Sequence, residues 1–417
     1  MDGAFAKTIA PWTGQQVRFT TAGSVDDGKS TLIGRILLDA GALMRDQRAA
    51  LGDGDDMDLA ALTDGLEAER AQGITIDVAY RYFATPAANF VIADAPGHEQ
   101  YTRNMVTAAS SADIAVLVID ASRIENAQLK PQTRRHAAIA ALMGLDVIVA
   151  VNKMDLVGWS QALFDGICAS FRDVASALNL AHVHFVPVSA KRGDNVVHPG
   201  DADWYQGPTL IQLLEGVRPR ASQAEGALRF PIQVVLRDGD ARLYAGRVES
   251  GSVRPGDGVR TGPHASSTVK SVRNAGKAIP FAEAGASVAI ELEDERDLAA
   301  GDVIADSAVR YTSQIVADIC WLDEWASTPG RKYRLRQGSK ETQARIEEIR
   351  FVRNISDFTQ RTGVTALNMN DIASVRVSTR DPILADLFAD APSGAFVLFD
   401  PDTNQTCAAG MIREVRA

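Results

Sequence analysis

Gly23-Ser24-Val25-Asp26-Asp27-Gly28-Lys29-Ser30 stands between an apolar run, QVRFTTA (16–22), and a stretch of helical character, STLIGRILLDAGAL (30–43). Two glycines closed by Lys-Ser match the phosphate-loop pattern, and the strand–loop–helix setting is the one that pattern requires. The glycines let backbone amides curl around a phosphate, and the helix N-terminus adds its positive end. Lys29 supplies a point charge toward the β- and γ-phosphates, and Ser30 a hydroxyl for magnesium. With Thr31, these eight residues are the expected phosphate-binding set. A fortuitous glycine-rich turn is the bland alternative, and the flanking elements argue against it.

Outward from the loop, short β-branched runs alternate with helical stretches. NFVIADAPG (89–97), ADIAVLVIDA (112–121), DVIVAVNK (146–153) and VHFVPVSA (183–190) read as strands that each run into a turn or polar loop. PQTRRHAAIAALMG (131–144) and WSQALFDGICASFRDVASALN (159–179) read as helices between them. The alternation predicts an α/β domain, a mostly parallel sheet with helices on both faces. After Val217-Arg218-Pro219 the helical periodicity fades. Short alternating strands punctuated by Gly, Pro and Asp take over, which predicts two small β-barrels. The expected domains are residues 1–219, 220–308 and 309–417.

Three further motifs fall where predicted strands end, the side of an open α/β sheet that binds ligands. In Asp94-Ala95-Pro96-Gly97-His98, a carboxylate can hold magnesium through water, and the Gly97 amide can approach a γ-phosphate unobstructed. Alone such a turn means little; one strand beyond a phosphate loop it is the expected second switch. In Asn152-Lys153-Met154-Asp155, the Asp155 carboxylate can accept from N1 and the exocyclic amine of guanine. Adenine offers no such donor pair, and a site of this kind discriminates by about four orders of magnitude. Ser189-Ala190-Lys191 follows the next strand and would close over the base, so the pattern points to GTP and GDP. Between loop and second switch lies Glu69-Arg70-Ala71-Gln72-Gly73-Ile74-Thr75-Ile76, where Thr75 could reach magnesium while a γ-phosphate is present.

Composition narrows the setting. Hydrophobic residues make up 46% and charged residues 23% of 417 positions, as in ordinary globular chains. No apolar run approaches the roughly 20 residues of a membrane-spanning helix. The first residues, MDGAFAKTIAPWTG, lack the basic head and apolar centre of a signal peptide. Cys168, Cys320 and Cys407 lie far apart, with no spacing for zinc or a disulfide framework. A cytoplasmic location is expected. The net charge of −10 argues against broad adhesion to nucleic acid or anionic membrane.

With these residues assembled, the first 216 positions resemble the translation-factor class of GTPases, the group containing elongation factor Tu. ERAQGITI (69–76) and DAPGH (94–98) carry that likeness. Within the class, the wording is most similar to the large subunits of bacterial sulfate adenylyltransferase. TTAGSVDDGKSTLIGRILLDA, FVIADAPGHEQYTRNMVTAAS, QTRRHAAIAALMGL and LNMNDIASVRV carry this closer resemblance. It covers nearly the whole chain and is weakest over 236–285, where relatives commonly have a longer aromatic-containing stretch.

The resemblance implies a GTPase working with a separate small catalytic subunit that makes adenosine 5′-phosphosulfate and pyrophosphate from ATP and sulfate. GTP hydrolysis would drive that uphill reaction. It also implies that Lys29 and Ser30 serve phosphate and Mg2+, that Thr75 and Asp94 complete the metal shell, and that Gly97 senses the γ-phosphate. His98 matches the histidine that positions the attacking water, so the implied catalytic set is His98, Lys29 and Thr75. No second phosphate loop supports the adenylylsulfate kinase fused to some relatives, and that activity is not expected. The competing reading is a translation factor that delivers aminoacyl-tRNA. Against it stand Asp27, where those factors usually have His, and EQYTRNMV (99–106), where they read closer to ADYVKNMI.

Other features have ordinary readings. His182 and His184 share one side of a predicted strand without a third ligand nearby. The acidic run 52–58 breaks the calcium-loop pattern at Met57. Trp321, Trp325 and the cluster Arg331–Arg336 read as a barrel face or subunit interface before they read as a nucleic-acid site.

Overall fold

Six strands build the first sheet: β1 (Gln15–Ala22), β2 (Ala79–Ala84), β3 (Ala88–Asp94), β4 (Ile114–Asp120), β5 (Asp146–Asn152) and β6 (Val183–Pro187). The computed structural model describes residues 15–43, 48, 57–62, 78–98, 101–124, 128–200, 202–218, 226–239 and 241–415. The strand order is β2-β3-β1-β4-β5-β6. All neighbours run parallel except β2, which lies antiparallel on β3 at the edge. The chain leaves β1 toward one edge and returns to β4 on its other side. The crevice beyond the strand ends at β1 and β4 is therefore the topological switch point, where open α/β sheets bind ligands.

Among the described residues, five helices cover the sheet: α1 (Lys29–Asp39), α2 (Thr102–Ser110), α3 (Pro131–Leu142), α4 (Gln161–Leu178) and α5 (Leu210–Glu215). On one face Val17, Phe19, Phe90, Ile92, Val116, Val118 and Ile148 pack against Leu32, Ile33 and Ile36 of α1 and Leu210 and Leu214 of α5. The alternate strand residues, among them Val91, Leu117, Val147 and Val149, are buried on the opposite face beneath α2, α3 and α4. A strand with apolar side chains on both faces is the physical signature of a parallel sheet between two helix layers. The ends of α4 show why it stops where it does. Ser160 Oγ accepts the Leu163 amide at 3.3 Å, and Asn179 takes a left-handed φ of 55° that closes the last turn.

β2 is not among the strands that the sequence alone predicts. Burial alternates along it, but Tyr80 and Tyr82 are on the outer side, 47% and 66% exposed, and Arg81 on the inner, so the residue types show no apolar/polar alternation to read. Phe83 is the buried residue of the strand, stacking on Phe90 at 4.7 Å between ring centroids.

The chain divides at Pro219/Arg220 into two compact units. The second contains two closed six-strand rings. The first ring uses β7 (Arg229–Asp238), β8 (Ala241–Arg247), β9 (Gly258–Gly262), β10 (Ala265–Asn274), β11 (Ser287–Leu292) and β12 (Val303–Asp306). Its order is β9-β12-β7-β8-β11-β10, and pairing of β9 with β10 closes it. The second uses β13 (Tyr311–Trp321), β14 (Lys332–Gln337), β15 (Lys340–Arg353), β16 (Ile372–Leu384), β17 (Ala395–Phe399) and β18 (Thr406–Val415). Its order is β14-β17-β18-β13-β16-β15, closed by pairing of β14 with β15.

Each ring is filled by its own inward side chains, Phe230, Ile232, Tyr244 and Ile290 in the first, and Trp321, Leu335, Val375 and Phe396 in the second. Trp321 is thus core, whereas Trp325 is 79% exposed. A buried bidentate pair, Arg229 to Asp386, ties one ring to the other, and Ser393 Oγ donates a further bond to Asp386. Burial works against the Asp386 charge, yet Arg229 and Ser393 hold its carboxyl below the ordinary carboxylate range.

Candidate nucleotide-binding site

The phosphate loop follows β1 and delivers Lys29 as the first residue of α1. Gly28 precedes it with φ 92°, a left-handed conformation that side chains resist, and a Cβ there would lie 2.4 Å from Asn152 Nδ2. Gly23 is equally constrained, since its Cβ would stand 2.6 Å from the Val118 carbonyl oxygen on β4. Lys29 Nζ donates to Gly23 O at 2.9 Å and Ser24 O at 3.0 Å, so its charge is centred inside the curl of the loop. Burial lowers its pKa, and the carboxylates of Asp94, Asp27 and Asp26 oppose that shift.

Within the loop the Ser24 amide donates to Asp27 Oδ2 at 2.8 Å, which engages one of the amides otherwise expected to face phosphate. Ser24 Oγ is buried and makes no hydrogen bond among the described residues. Val25 is half-buried between them, and Asp26 adopts φ 66°. Ser30 and Thr31 occupy the first turn of α1, both half-buried.

Asp94 ends β3, 1% exposed, and its Oδ1 accepts the Thr21 hydroxyl at 2.9 Å. Three residues on, Gly97 comes down onto the loop. A Cβ at Gly97 would lie 2.3 Å from Lys29 Nζ and 2.6 Å from Gly23 O, so only glycine permits this approach. The sequence motif and the packing therefore agree on why position 97 carries no side chain. His98 is exposed, with its ring 6.1 Å from that of Tyr101. Thr75 and its neighbours 69–77 lie outside the described residues, as do residues 52–56 of the acidic run.

The segments expected to read a base meet the loop through two side chains, Asn152 and Lys153. Asn152, 1% exposed at the end of β5, donates from Nδ2 to Asp27 O at 2.9 Å and accepts the Ala190 amide on Oδ1 at 2.9 Å. It thereby joins Gly23–Ser30, Asn152–Asp155 and Ser189–Lys191 into one structure. Lys153, at φ 60°, places Nζ 2.7 Å from both Asp26 O and Asp120 Oδ2. Burial disfavours ionised Asp120, but hydrogen bonds from Lys153 and Ser122 hold its pKa below the ordinary value. Asp155 is half-buried, and its carboxylate takes no hydrogen bond or ion pair among the described residues. It is therefore open to donors from a base. Ser189 Oγ accepts the Arg192 amide at 3.3 Å and steadies the turn that carries Ala190 and Lys191. Arg35 of α1 donates to Ala190 O at 3.2 Å and to Lys191 O, fastening the turn from behind.

Four contributors to this site belong to no motif: Thr21, Arg35, Asp120 and Lys130, whose Nζ sits 2.7 Å from Asp27 Oδ1. Asp120 had a readable signal, a lone carboxylate at the end of an apolar strand beside the loop. The other three are recognisable only once the sheet has brought their partners near. His182 and His184 are both exposed at the start of β6, and no cluster of three or more His, Cys, Asp or Glu suited to a metal occurs among the described residues. His136 of α3 is 2% exposed, and burial beside Lys29 and Arg135 pushes its pKa down to about 3.

Residues 15–222 match the family model of the elongation factor Tu GTP binding domain, and residues 314–413 match that of the GTP-eEF1A C-terminal domain-like family. Sulfate adenylyltransferase subunit 1 of Aeromonas salmonicida (strain A449) is 43% identical over 95% of this chain and 87% of its own length. The bifunctional enzyme NodQ of Rhizobium sp. (strain N33) is 45% identical over 98% of this chain, which spans 66% of that relative. The bifunctional enzyme CysN/CysC of Mycobacterium tuberculosis (strain ATCC 25618 / H37Rv) is 44% identical over 96% of this chain and 68% of its own length.

Proposed function

Because the chain belongs to the sulfate adenylyltransferase subunit 1 family, with a translation-factor-class GTPase domain, we propose that its GTP hydrolysis drives formation of adenosine 5′-phosphosulfate and pyrophosphate on a separate small subunit. The observation that carries the guanine-nucleotide reading is Asn152, which couples the phosphate loop to the base-reading turn through two buried hydrogen bonds. A strained loop, a lysine at its centre and an unengaged Asp155 carboxylate are thereby held in one arrangement.

Roles follow from chemistry at each position. Backbone amides of the loop and Lys29 bind the β- and γ-phosphates, and Asp155 selects guanine. Ser30 and Asp94 present hard oxygen donors beside Lys29, a set that fits Mg2+, and Thr75 is the third ligand we assign. Magnesium, when bound, neutralises charge on the phosphate oxygens. Gly97, resting on Gly23 and Lys29, is placed to register a γ-phosphate arriving at the loop. His98, exposed at the start of the second switch, orients the attacking water. The partner is a small catalytic subunit of the CysD type. Three buried cysteines, none in a disulfide, fit a reducing cytoplasmic setting; no helix among the described residues is long and apolar enough to cross a membrane.

The test combines the purified chain with its small subunit, ATP, sulfate and GTP, and follows phosphate and pyrophosphate together. GTP turnover should rise only when ATP and sulfate are both present, and pyrophosphate should track it. Turnover indifferent to ATP and sulfate, with binding of charged tRNA instead, would overturn the coupling and favour a delivery factor.

A further inference from the structure

Lys130 stands immediately before α3, in an extended conformation with φ −61° and ψ 148°. Pro131 opens the helix behind it, and its fixed φ restrains the direction in which Lys130 leaves the helix. Its Nζ lies 2.7 Å from Asp27 Oδ1, while the second oxygen of that carboxylate takes the Ser24 amide at 2.8 Å. Asp27 is 1% exposed, whereas the Lys130 side chain retains 28% exposure.

An exposed ion pair contributes little, but this one has a buried half. An ionised Asp27 without a counter-charge would be costly on two grounds. It has lost its water, and it carries the sign of the polyphosphate that the same loop must receive. The nearby cation Lys29 relieves it only through space, because its ammonium donates to Gly23 O and Ser24 O and makes no hydrogen bond to Asp27. The charge of Lys130 is also felt at Lys29.

We propose that Lys130 is a positioning residue for the GTPase. By neutralising Asp27 it keeps the Ser24–Asp27 turn closed and sets nucleotide affinity according to the negative charge of the phosphate chain. This rests on the assignment of the loop as the GTP site, and goes beyond it by adding a determinant outside every motif. The contact joins the loop to the start of α3 across 103 positions of sequence.

The test uses the full-length chain, with dissociation constants for fluorescent GDP and for a non-hydrolysable fluorescent GTP analogue. Lys130→Met should weaken GDP about tenfold and the more highly charged GTP analogue about thirtyfold, since the penalty is a charge repulsion. Adding Asp27→Asn to Lys130→Met removes the uncompensated charge and should restore both constants to within about threefold of wild type. Lys130→Arg, which keeps the cation, should remain within about threefold as well. The inference is overturned if Lys130→Met binds both nucleotides like wild type. It is also overturned if GDP and GTP weaken equally and Asp27→Asn gives no recovery, the pattern of a packing defect. Failure of the wild-type chain to bind either nucleotide would instead sink the GTP site itself.

Discussion

The base-reading corner and the phosphate side of the site are held by different physics. Asn152 organises the corner with two neutral hydrogen bonds, both buried, and Arg35 fastens the outer turn through backbone carbonyls. An ion pair there, Lys153 to Asp120, lies on its loop side. The phosphate side is held by charges: Lys29 in the loop, Asp27 against Lys130, and Asp26 near Arg123 at 3.2 Å. Neutral bonds among buried groups need no rearrangement when a base arrives, so under the proposed function the corner is preformed for it. On the phosphate side an arriving anion must compete with existing partners, as at Lys29, whose donors are already engaged with Gly23 and Ser24. On the proposed reading, one half of the site discriminates by shape of hydrogen bonding, and the other responds to charge.

Four substitutions would break or sharpen that contrast. Asp155→Asn should have the largest effect, lowering GTP affinity by about three orders of magnitude and raising affinity for xanthine nucleotides, whose 2-oxo group accepts from an amide. Competition binding with GTP and XTP measures it, and unchanged GTP affinity would show that Asp155 does not read the base. Asn152→Ala strands the Ala190 amide and the Asp27 carbonyl in a buried place, a cost of about 2–3 kcal/mol. GDP dissociation should accelerate on the order of a hundredfold, measurable by stopped flow.

Gly97→Ala tests the contact between the two sides of the γ-phosphate. Its Cβ would fall within 2.6 Å of backbone at Gly23, so the switch must lift from the loop. Single-turnover GTP hydrolysis should drop roughly tenfold, a displacement penalty, with GDP affinity changed far less. Equal loss in both would place the defect in the loop rather than in γ-phosphate sensing. Arg35→Ala should be the mildest: removing a bond to Ala190 O should speed nucleotide release by about threefold, with no change in the rate of hydrolysis.

These contrasts also explain what could be seen in the residues beforehand. Gly23–Ser30, Asp94–His98 and Asn152–Asp155 are local strings whose geometry is set by backbone within a few positions, and the structure converges them on one crevice. The parallel sheet and both barrels were legible for the same reason, because strand periodicity and turn residues are short-range. β2 was not, since its tyrosines face solvent while an arginine takes the inner side, which hides the alternation in the residue types. Nor were the contacts Thr21–Asp94, Asp120–Lys153 and Asp27–Lys130, whose partners lie 73, 33 and 103 positions apart. Such pairs exist only after the strands have taken their order. A single sequence carries no mark of which lysine will meet which carboxylate.

The closure of the two rings in the second unit has a consequence for how another protein can hold this one. A closed ring pairs most of its strand length on both sides, and here the longest one-sided stretches among the described residues are 233–238 of β7 and 346–351 of β15. Among the described residues, the first sheet is different, ending in β2 on one side and β6 on the other. Elsewhere on the rings a partner must grip side chains and loops, such as the exposed indole of Trp325. A partner extending a sheet of this chain is offered, among the described residues, those two stretches of the rings and the margins of the nucleotide domain, one of them beside the strand that ends in Asp94.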